Sequence, residues 1–213
     1  METLTLNYLI PNNFLFQSNK HGVRPAGWFY YPGKITTNSY LHSMSISAAS
    51  VQDIPALVSL LNSAYRGEES RQGWTTEADL LEGELRTDIP TLTELLNKPG
   101  ATILKYTLNE GKIIGCVYLQ KQERGLYLGM LSVSPQMQAA GIGKQILAAA
   151  LIHAQENNCP CIFMNVISLR HELIAWYRRH GYHLTGETKP LPDDNRFGVP
   201  TQPIEFVIME KML

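Results

Sequence analysis

The sequence is short of charge, of paired cysteines and of long apolar runs, and each shortage excludes a class of protein. Charged residues make up only 17% of the 213 residues, against about 25% in an average soluble domain. Neither sign is in excess, because 18 Lys and Arg oppose 19 Asp and Glu. A general nucleic-acid-binding protein needs surplus positive charge to attract phosphates, so we expect no nucleic-acid partner. Hydrophobic residues reach 44%, which allows a sizeable core and excludes a wholly disordered chain.

The three cysteines, at positions 116, 159 and 161, are too few for a disulfide framework. Only Cys159 and Cys161 are close, and their C-P-C spacing differs from the C-x-x-C of metal and redox sites. We therefore expect free thiols, a reducing compartment and no metal. No segment approaches the roughly 20 apolar residues that cross a bilayer, and the N-terminal stretch lacks the basic start of a signal peptide. We accordingly expect a cytoplasmic protein without membrane contact.

The character of the chain changes at Met44. Residues 1–43 contain three prolines and show almost no helical or alternating pattern, whereas a strand and an amphipathic helix follow at once from Met44. We therefore divide the chain into an N-terminal extension, 1–43, outside the core fold, and one domain, 44–213. Two interpretations of the extension stay open. It is either an arm that docks a partner or a loosely held segment that precedes a natural start at Met44.

Three helices are predicted in the first half of the domain, each behind a residue that can accept from the free N–H groups of the first turn. The first has apolar residues three and four apart from Ile54 to Ala64, and a short strand after Met44 precedes it. The second is predicted behind Thr75 or Thr76, and the third behind a capping box. The last two predictions rest on Ala78, Leu81 and Leu85 for the second helix, and on Thr91 and Glu94 for the third.

Three strand-like runs with short turns follow, and then the pattern changes to helix, strand and helix before a C-terminal strand. The three runs predict an antiparallel meander, and the helix after them requires a crossover that makes a parallel pair. We therefore predict an α/β fold with a mixed, mostly antiparallel sheet, a central parallel pair and helices on both faces. The segments are 101–108, 112–121 and 126–133 for the meander, then 143–157, 161–167 and 172–180, with Gly181 closing the last helix.

A loop with two glycines joins the meander to the crossover helix. The free N–H groups and the dipole of a helix start attract an anion, and Gly141 and Gly143 have no side chain to hold a ligand away. Gln138 and Lys144 add a donor and a charge. Neither common nucleotide motif fits, because a P-loop needs Gly at position 138 and a dinucleotide fingerprint needs Gly at position 146, which is Ile. The alternative is a tight turn without a ligand.

Three segments, in the correct order, resemble motifs of the GNAT family of N-acetyltransferases. The run M-L-S-V-S-P with the Q-x-x-G-x-G that ends at Gly143 resembles the family's acetyl-CoA motif, and C-I-F-M-N-V-I resembles the strand that follows it. The Y-x-x-x-G-Y that begins at Tyr177 is similar to the family's Tyr-x-x-x-Gly-(Phe/Tyr) signature. The resemblance covers 44–213 and implies the GNAT-like acyl-CoA N-acyltransferase fold. It also implies transfer of an acetyl group from acetyl-CoA to a primary amine, which attacks the thioester directly.

The resemblance assigns roles to the positions that match these motifs. The main chain of Leu131 and Val133 would bind the acetyl carbonyl and the pantetheine arm, and N–H groups of the glycine loop would bind the pyrophosphate. Tyr177 would protonate the departing CoA thiolate, since a phenol of pKa about 10 can share its proton with a thiolate of pKa about 8.5. Alternatively, Tyr177 is only a packed aromatic of its helix. The implied cofactor-binding set is Leu131, Ser132, Val133, Gln138, Ala139, Ala140, Gly141, Ile142, Gly143, Lys144 and Arg170.

Two positions depart from the family pattern. Arg170 stands where many members have Asn, and it would contact CoA or an acidic group of the substrate, or lie in solvent at a helix end. The strand before the glycine loop has no Asp or Glu, where some members place a general base. The amine would then lose its proton to water or to one of four side chains from elsewhere in the fold. These are Glu77, Asp79, His171 and Glu187.

The resemblance also implies that the first two helices and the final loop form the acceptor pocket. The residues assigned to it are Tyr65, Arg66, Trp74 and Phe197, which would give a polar pocket with an aromatic wall. We expect the acceptor to be an amine of a small molecule or a protein, and a homodimer is compatible with the sequence. Two alternative functions stay open. They are a catalytically silent CoA-binding module that acts through a protein partner, and an acyltransferase that uses a longer acyl-CoA.

Overall fold

The computed structural model describes residues 44–108, 111–192, 196 and 198–213. The expectations for the extension, 1–43, and for Phe197 lie outside these residues. The helices are α1 (Ile54–Tyr65), α2 (Gly67–Ser70), α3 (Ile89–Leu96), α4 (Ile142–Glu156) and α5 (His171–Arg179). The strands are β1 (Ser45–Ala48), β2 (Leu81–Glu82), β3 (Ala101–Thr107), β4 (Ile113–Lys121), β5 (Leu126–Val133), β6 (Cys161–Ile167), β7 (His183–Pro190), β8 (Val199–Pro200) and β9 (Glu205–Met212). No helix in the described part of the chain is long and apolar enough to cross a membrane.

Seven strands form one sheet in the order β1-β3-β4-β5-β6-β9-β7, and β2 pairs with β8 separately. Neighbouring strands of the large sheet are antiparallel, except for β5 and β6. These two are parallel because helix α4 crosses over between them. The predicted mixed sheet with a central parallel pair is therefore confirmed.

The alternation of side chains along β4 fills two cores, one on each face of the sheet. Cys116 and Tyr118 pack with helices α1 and α3, whereas Val117 and Leu119 pack with α4 and α5. All four side chains are buried. Helices therefore cover both faces of the sheet, as predicted, and fix the position of its central strands.

Strands β5 and β6 separate along their length. Only two residue pairs join them, and the second pair is Tyr127 with Phe163, although both strands continue well beyond this point. The register between β4 and β5 also shifts, and Met130 in the shifted region has a left-handed φ of 50°. Such an irregularity bends a strand away from its neighbour. The result is a cleft between the C-terminal halves of β5 and β6.

The predicted second helix, behind Thr75 or Thr76, is wrong. Residues 74–85 form turns and the short strand β2, which pairs with β8. The guanidinium of Arg170 instead donates to the carbonyl oxygens of Trp74 and Thr75, and the Thr75 carbonyl would accept the first hydrogen bond of a helix that Thr75 capped. Within the same stretch Gly83 has a φ of 128°, which no α-helix contains.

Helix α3 begins earlier than its predicted capping box. Asp88, rather than Thr91, is the N-cap residue, and its carboxylate accepts from the main-chain N–H of Thr91 at 2.8 Å. Strand β7 was not predicted at all. It lies at the edge of the sheet with almost all its side chains exposed, so its sequence lacks an alternating pattern.

Candidate functional site

The cleft between β5 and β6 opens into a cavity of about 360 Å³. Its walls are residues 127–131 of β5 and 164–167 of β6, together with parts of α5 and the segments that contain Tyr65 and Leu191. Apolar strand residues therefore meet polar side chains from the helices and loops. The charged side chains that line the cavity in the described part of the chain are Arg66, Glu77, Arg86 and Arg170.

Tyr177 of α5 lines this cavity. Its side chain is only 5% exposed and packs edge-on against Trp176 and Tyr182, with ring centroids 5.0 and 5.6 Å away. Burial raises the pKa of the phenol well above its usual value, and the neighbouring Tyr65 adds to the rise, so the phenol stays protonated at neutral pH. None of the described residues hydrogen-bonds to its hydroxyl. The group is therefore free to donate to a molecule in the cavity.

The loop after β5 places the N-terminus of α4 at the end of that strand. Gly141 is the N-cap residue of α4 with a left-handed φ of 76°, and Ala139 has a φ of 67°. The N–H groups of Ile142, Gly143 and Lys144 have no helical carbonyl to bond. A Cβ atom at Gly141 would have no heavy atom within 4 Å, so the main chain there faces open space. An anion can approach these N–H groups directly.

The side chain of Gln138 is used within the protein. Its Oε1 accepts from the main-chain N–H of Trp74 at 2.8 Å, and its Nε2 donates to Thr75 Oγ1 and to the carbonyl of Val133, both at 3.1 Å. It thereby ties segment 73–75 to the end of β5. The side-chain amide is therefore not available to an anion. Gln138 could bind an anion only through its main-chain N–H.

Arg170 holds segment 73–75 from the opposite side. The residue is 8% exposed, and its guanidinium donates to the carbonyl oxygens of Trp74 at 2.5 Å and Thr75 at 3.2 Å. These contacts contradict the interpretation of a solvated arginine at a helix end. The ring of Trp74 is 40% exposed and packs on Trp176 with a centroid distance of 5.3 Å. Trp74 thus lies beside α5, outside the residues that line the cavity.

Tyr65 lines the cavity, but its hydroxyl is already bonded. It donates to the carbonyl oxygen of Leu131 at 2.9 Å, beside the irregularity at Met130. Burial raises the pKa of Tyr65 to about 12, so the phenol keeps the proton that this bond needs. We conclude that Tyr65 fixes the bent part of β5 rather than offering its hydroxyl to a substrate.

Arg66, Glu77 and Arg86 form a cluster of ion pairs in the cavity wall. Arg66 Nη1 lies 2.7 Å from Glu77 Oε2, and both side chains are largely buried. Arg86 Nε is 3.6 Å from the same oxygen, and its guanidinium lies over the ring of Tyr65, 5.5 Å from the centroid. The cluster places two cations around one carboxylate.

A model of the acetyltransferase (GNAT) family matches residues 54–182. This range is more than half of the chain, and it includes most residues that line the cavity, from Tyr65 on α1 to Tyr177 on α5. The chain belongs to the GNAT family. No curated protein sequence matches it.

Solved structures of GNAT proteins share the fold. The ribosomal-protein-S18-alanine N-acetyltransferase of Escherichia coli is 15% identical with a TM-score of 0.60, and the match covers 79% of this chain and 93% of that chain. A ribosomal-protein-alanine N-acetyltransferase of Brucella melitensis is 20% identical with a TM-score of 0.59, covering 79% and 99%. yncA, a candidate acetyltransferase of Salmonella typhimurium solved with its cofactor acetyl-CoA, is 16% identical with a TM-score of 0.58, covering 80% and 94%. At these identities the likeness shows the fold alone.

The GNAT cleft separates the four side chains considered as general base. Glu77 lines the cavity as the carboxylate of the ion-pair cluster. Asp79 and Glu187 instead pair with Arg71 and Arg124 at the surface, and His171 is exposed at the start of α5. Of these four candidates, Glu77 alone has access to a molecule in the cleft.

Two cavity residues were missed by the sequence reasoning. Arg86 directly follows the predicted second helix and belongs to none of the sequence motifs. Asn165 was visible as a lone polar residue in the apolar run of β6, and that was the signal that could have found it. It lines the cavity, and its Oδ1 is buried without a hydrogen-bond partner among the described residues.

Replacing Arg170 tests its role in holding segment 73–75. We expect Arg170→Met to lower the free energy of unfolding by about 1–3 kcal/mol, because two main-chain carbonyls lose their donor. Arg170→Lys should lose less, since its ammonium can still donate to one of them. Urea unfolding is the measurement, with Arg178→Met as the matched control on an exposed position of the same helix. Equal stability of the Arg170→Met and Arg178→Met proteins would show that the carbonyls do not depend on the guanidinium.

Proposed function

We propose that this protein is an N-acetyltransferase that moves the acetyl group of acetyl-CoA to a primary amine. The observation that carries the proposal is the position of Tyr177, a protonated phenol without a hydrogen bond to any described residue, in the cleft between β5 and β6. The same strand β5 leads into the free N–H groups at the start of α4. A group that can protonate a leaving thiolate and a site for a phosphate are therefore joined by one strand.

The chain offers acetyl-CoA two successive sites. Main-chain N–H groups of residues 138–144 would bind the pyrophosphate, where the helix dipole and the absence of a side chain at Gly141 favour an anion. The cleft between β5 and β6 would take the pantetheine arm and the acetyl group. Acetyl-CoA in the solved Salmonella relative supports this choice of cosubstrate.

The reaction needs one bond made, one broken and one proton moved. The amine nitrogen attacks the thioester carbon and forms the C–N bond, while negative charge develops on the carbonyl oxygen, which main-chain N–H groups of the bent β5 segment would stabilise. The C–S bond then breaks, and Tyr177 donates a proton to the sulfur before it regains one from water. The amine nitrogen loses its proton to water. We do not assign that step to Glu77, because its carboxylate already pairs with Arg66 and Arg86.

Two measurements test the proposal. Acetyl-CoA should raise the melting temperature while ATP and NAD at the same concentration should not, because only a ligand that binds the native state stabilises it. A panel of primary amines should then release CoA from acetyl-CoA, detected with a thiol reagent. Stabilisation without CoA release from any amine would favour a silent CoA-binding module. Faster release from longer acyl-CoA thioesters would identify a different acyl donor.

A further inference from the structure

Cationic side chains are prominent in the wall of the cavity. Among the described residues, the arginines Arg66, Arg86 and Arg170 line it together with the carboxylate of Glu77. Charges removed from water are costly unless they are paired and hydrogen-bonded. A cation of this wall that has no acceptor within the protein would therefore favour a ligand with an acidic group.

The three arginines are not equally available to such a ligand. Arg66 lies 2.7 Å from Glu77 in a nearly buried pair, and Arg170 donates to the carbonyls of segment 73–75. The closest carboxylate oxygen to Arg86 is 3.6 Å away, which is too long for a hydrogen bond. No described residue accepts a hydrogen bond from the guanidinium of Arg86, and its side chain is 33% exposed. The guanidinium N–H groups of Arg86 are thus available to a ligand.

The surroundings of Arg86 place it inside the cleft. Its guanidinium lies over the ring of Tyr65, and its charge opposes the rise in pKa that burial causes in both Tyr65 and Tyr127. All three residues line the cavity that Tyr177 also lines. An acidic group bound to Arg86 would therefore share one cavity with the proposed proton donor.

We propose that the acceptor is a small amine that also carries a carboxylate, and that Arg86 binds this carboxylate in the cavity. The inference rests on the proposed acetyl transfer and names its substrate class. A guanidinium presents a planar fork of N–H donors that matches the two oxygens of a carboxylate, which favours an acid over a neutral amide.

The positive wall has a second consequence for the amine. Nearby cations disfavour the ammonium form of an acceptor and so lower its pKa, which supplies neutral nucleophile without a carboxylate base. This agrees with a β5 strand that has no Asp or Glu. Acceptors that carry a second ammonium in place of the carboxylate should be poor substrates for the same reason.

Matched pairs of acceptors test the inference in the full-length protein. Amino acids and their carboxamides have nearly the same shape and differ in the acidic charge. We expect kcat/KM for CoA release to be at least tenfold higher for the acid than for its carboxamide. Arg86→Gln should lower the value for the acid by about 10- to 100-fold and leave the carboxamide within about twofold. Arg86→Lys should restore part of the preference, and Arg71→Gln, on the surface and paired with Asp79, should change neither value.

A binding measurement separates this inference from the proposed function. N-acetyl amino acids and their carboxamides, added to the protein saturated with CoA, should raise the melting temperature only when the carboxylate is present and Arg86 is intact. Transfer to neutral amines with no preference for acids would overturn the inference and keep the acetyltransferase. Arg86-dependent binding of the acids without transfer to any amine would keep the carboxylate site at Arg86 and overturn the proposed acetyl transfer. If Arg86→Gln fails to fold, the comparison of acids and carboxamides in the wild-type protein still decides.

Discussion

Tyr177→Phe is expected to lower kcat by about 100-fold or more and to leave the affinity for acetyl-CoA near that of the wild type. The substitution removes the phenolic oxygen and keeps the ring that packs between Trp176 and Tyr182. No described residue loses a hydrogen bond, because none bonds to this hydroxyl. The change therefore acts on the protonation of the thiolate, which takes place in the chemical step.

The control for this variant is Tyr182→Phe. Tyr182 is also buried, its ring lies 5.6 Å from that of Tyr177, and it does not line the cavity. We expect its rate to stay near wild type. Tyr177→Ala should instead lower the free energy of unfolding by about 3–5 kcal/mol through the space it leaves, whatever its role in catalysis. A wild-type kcat for Tyr177→Phe would remove the phenol from the mechanism and leave the thiolate to be protonated by water.

The elements that sequence reasoning predicted are those with a strong local pattern. The succession of β5, α4 and β6 follows from apolar runs and two glycines, and it predicts the parallel pair that the structure contains. Tyr177 follows from the resemblance to the family's Tyr-x-x-x-Gly-(Phe/Tyr) signature, and Gly181 of that signature closes α5 with a left-handed φ of 86°. Local motifs therefore led to the residues proposed for the cofactor side of the candidate site.

The acceptor side could not be predicted because contacts between distant residues build it. Segment 73–75 has the composition of a helix start, but no helix begins there, and Arg170, 95 residues from Thr75, donates to the carbonyls of Trp74 and Thr75. Once the helix is absent, Glu77 is free to reach Arg66, and Arg86 comes to lie over Tyr65. None of these neighbours is within a helical turn in sequence, so no periodicity could reveal the cluster.

A large effect on acetyl-CoA binding is expected from substitutions at Gly141. Gly141→Asp should weaken acetyl-CoA binding by about 100-fold relative to Gly141→Asn, and so abolish most of the thermal stabilisation by acetyl-CoA at moderate ligand concentration. Asn and Asp tolerate a left-handed φ, here 76°, better than other side chains, and both suit an N-cap position. The two variants therefore place side chains of the same shape into the same open space and differ in one negative charge.

The physical cause is repulsion between that charge and the pyrophosphate. Two unit charges 4 Å apart interact by about 4 kcal/mol near a protein surface, and dissolved salt weakens this, so the gap between Asp and Asn should narrow as ionic strength rises. The measurements are acetyl-CoA affinity by calorimetry and the melting temperature with and without ligand, at low and high salt. The Asn variant also isolates steric effects, because a loss of binding in both variants would come from the bulk of the side chain. Equal, undiminished affinity in both would place the pyrophosphate away from the start of α4 and would return the glycine loop to the interpretation of a tight turn.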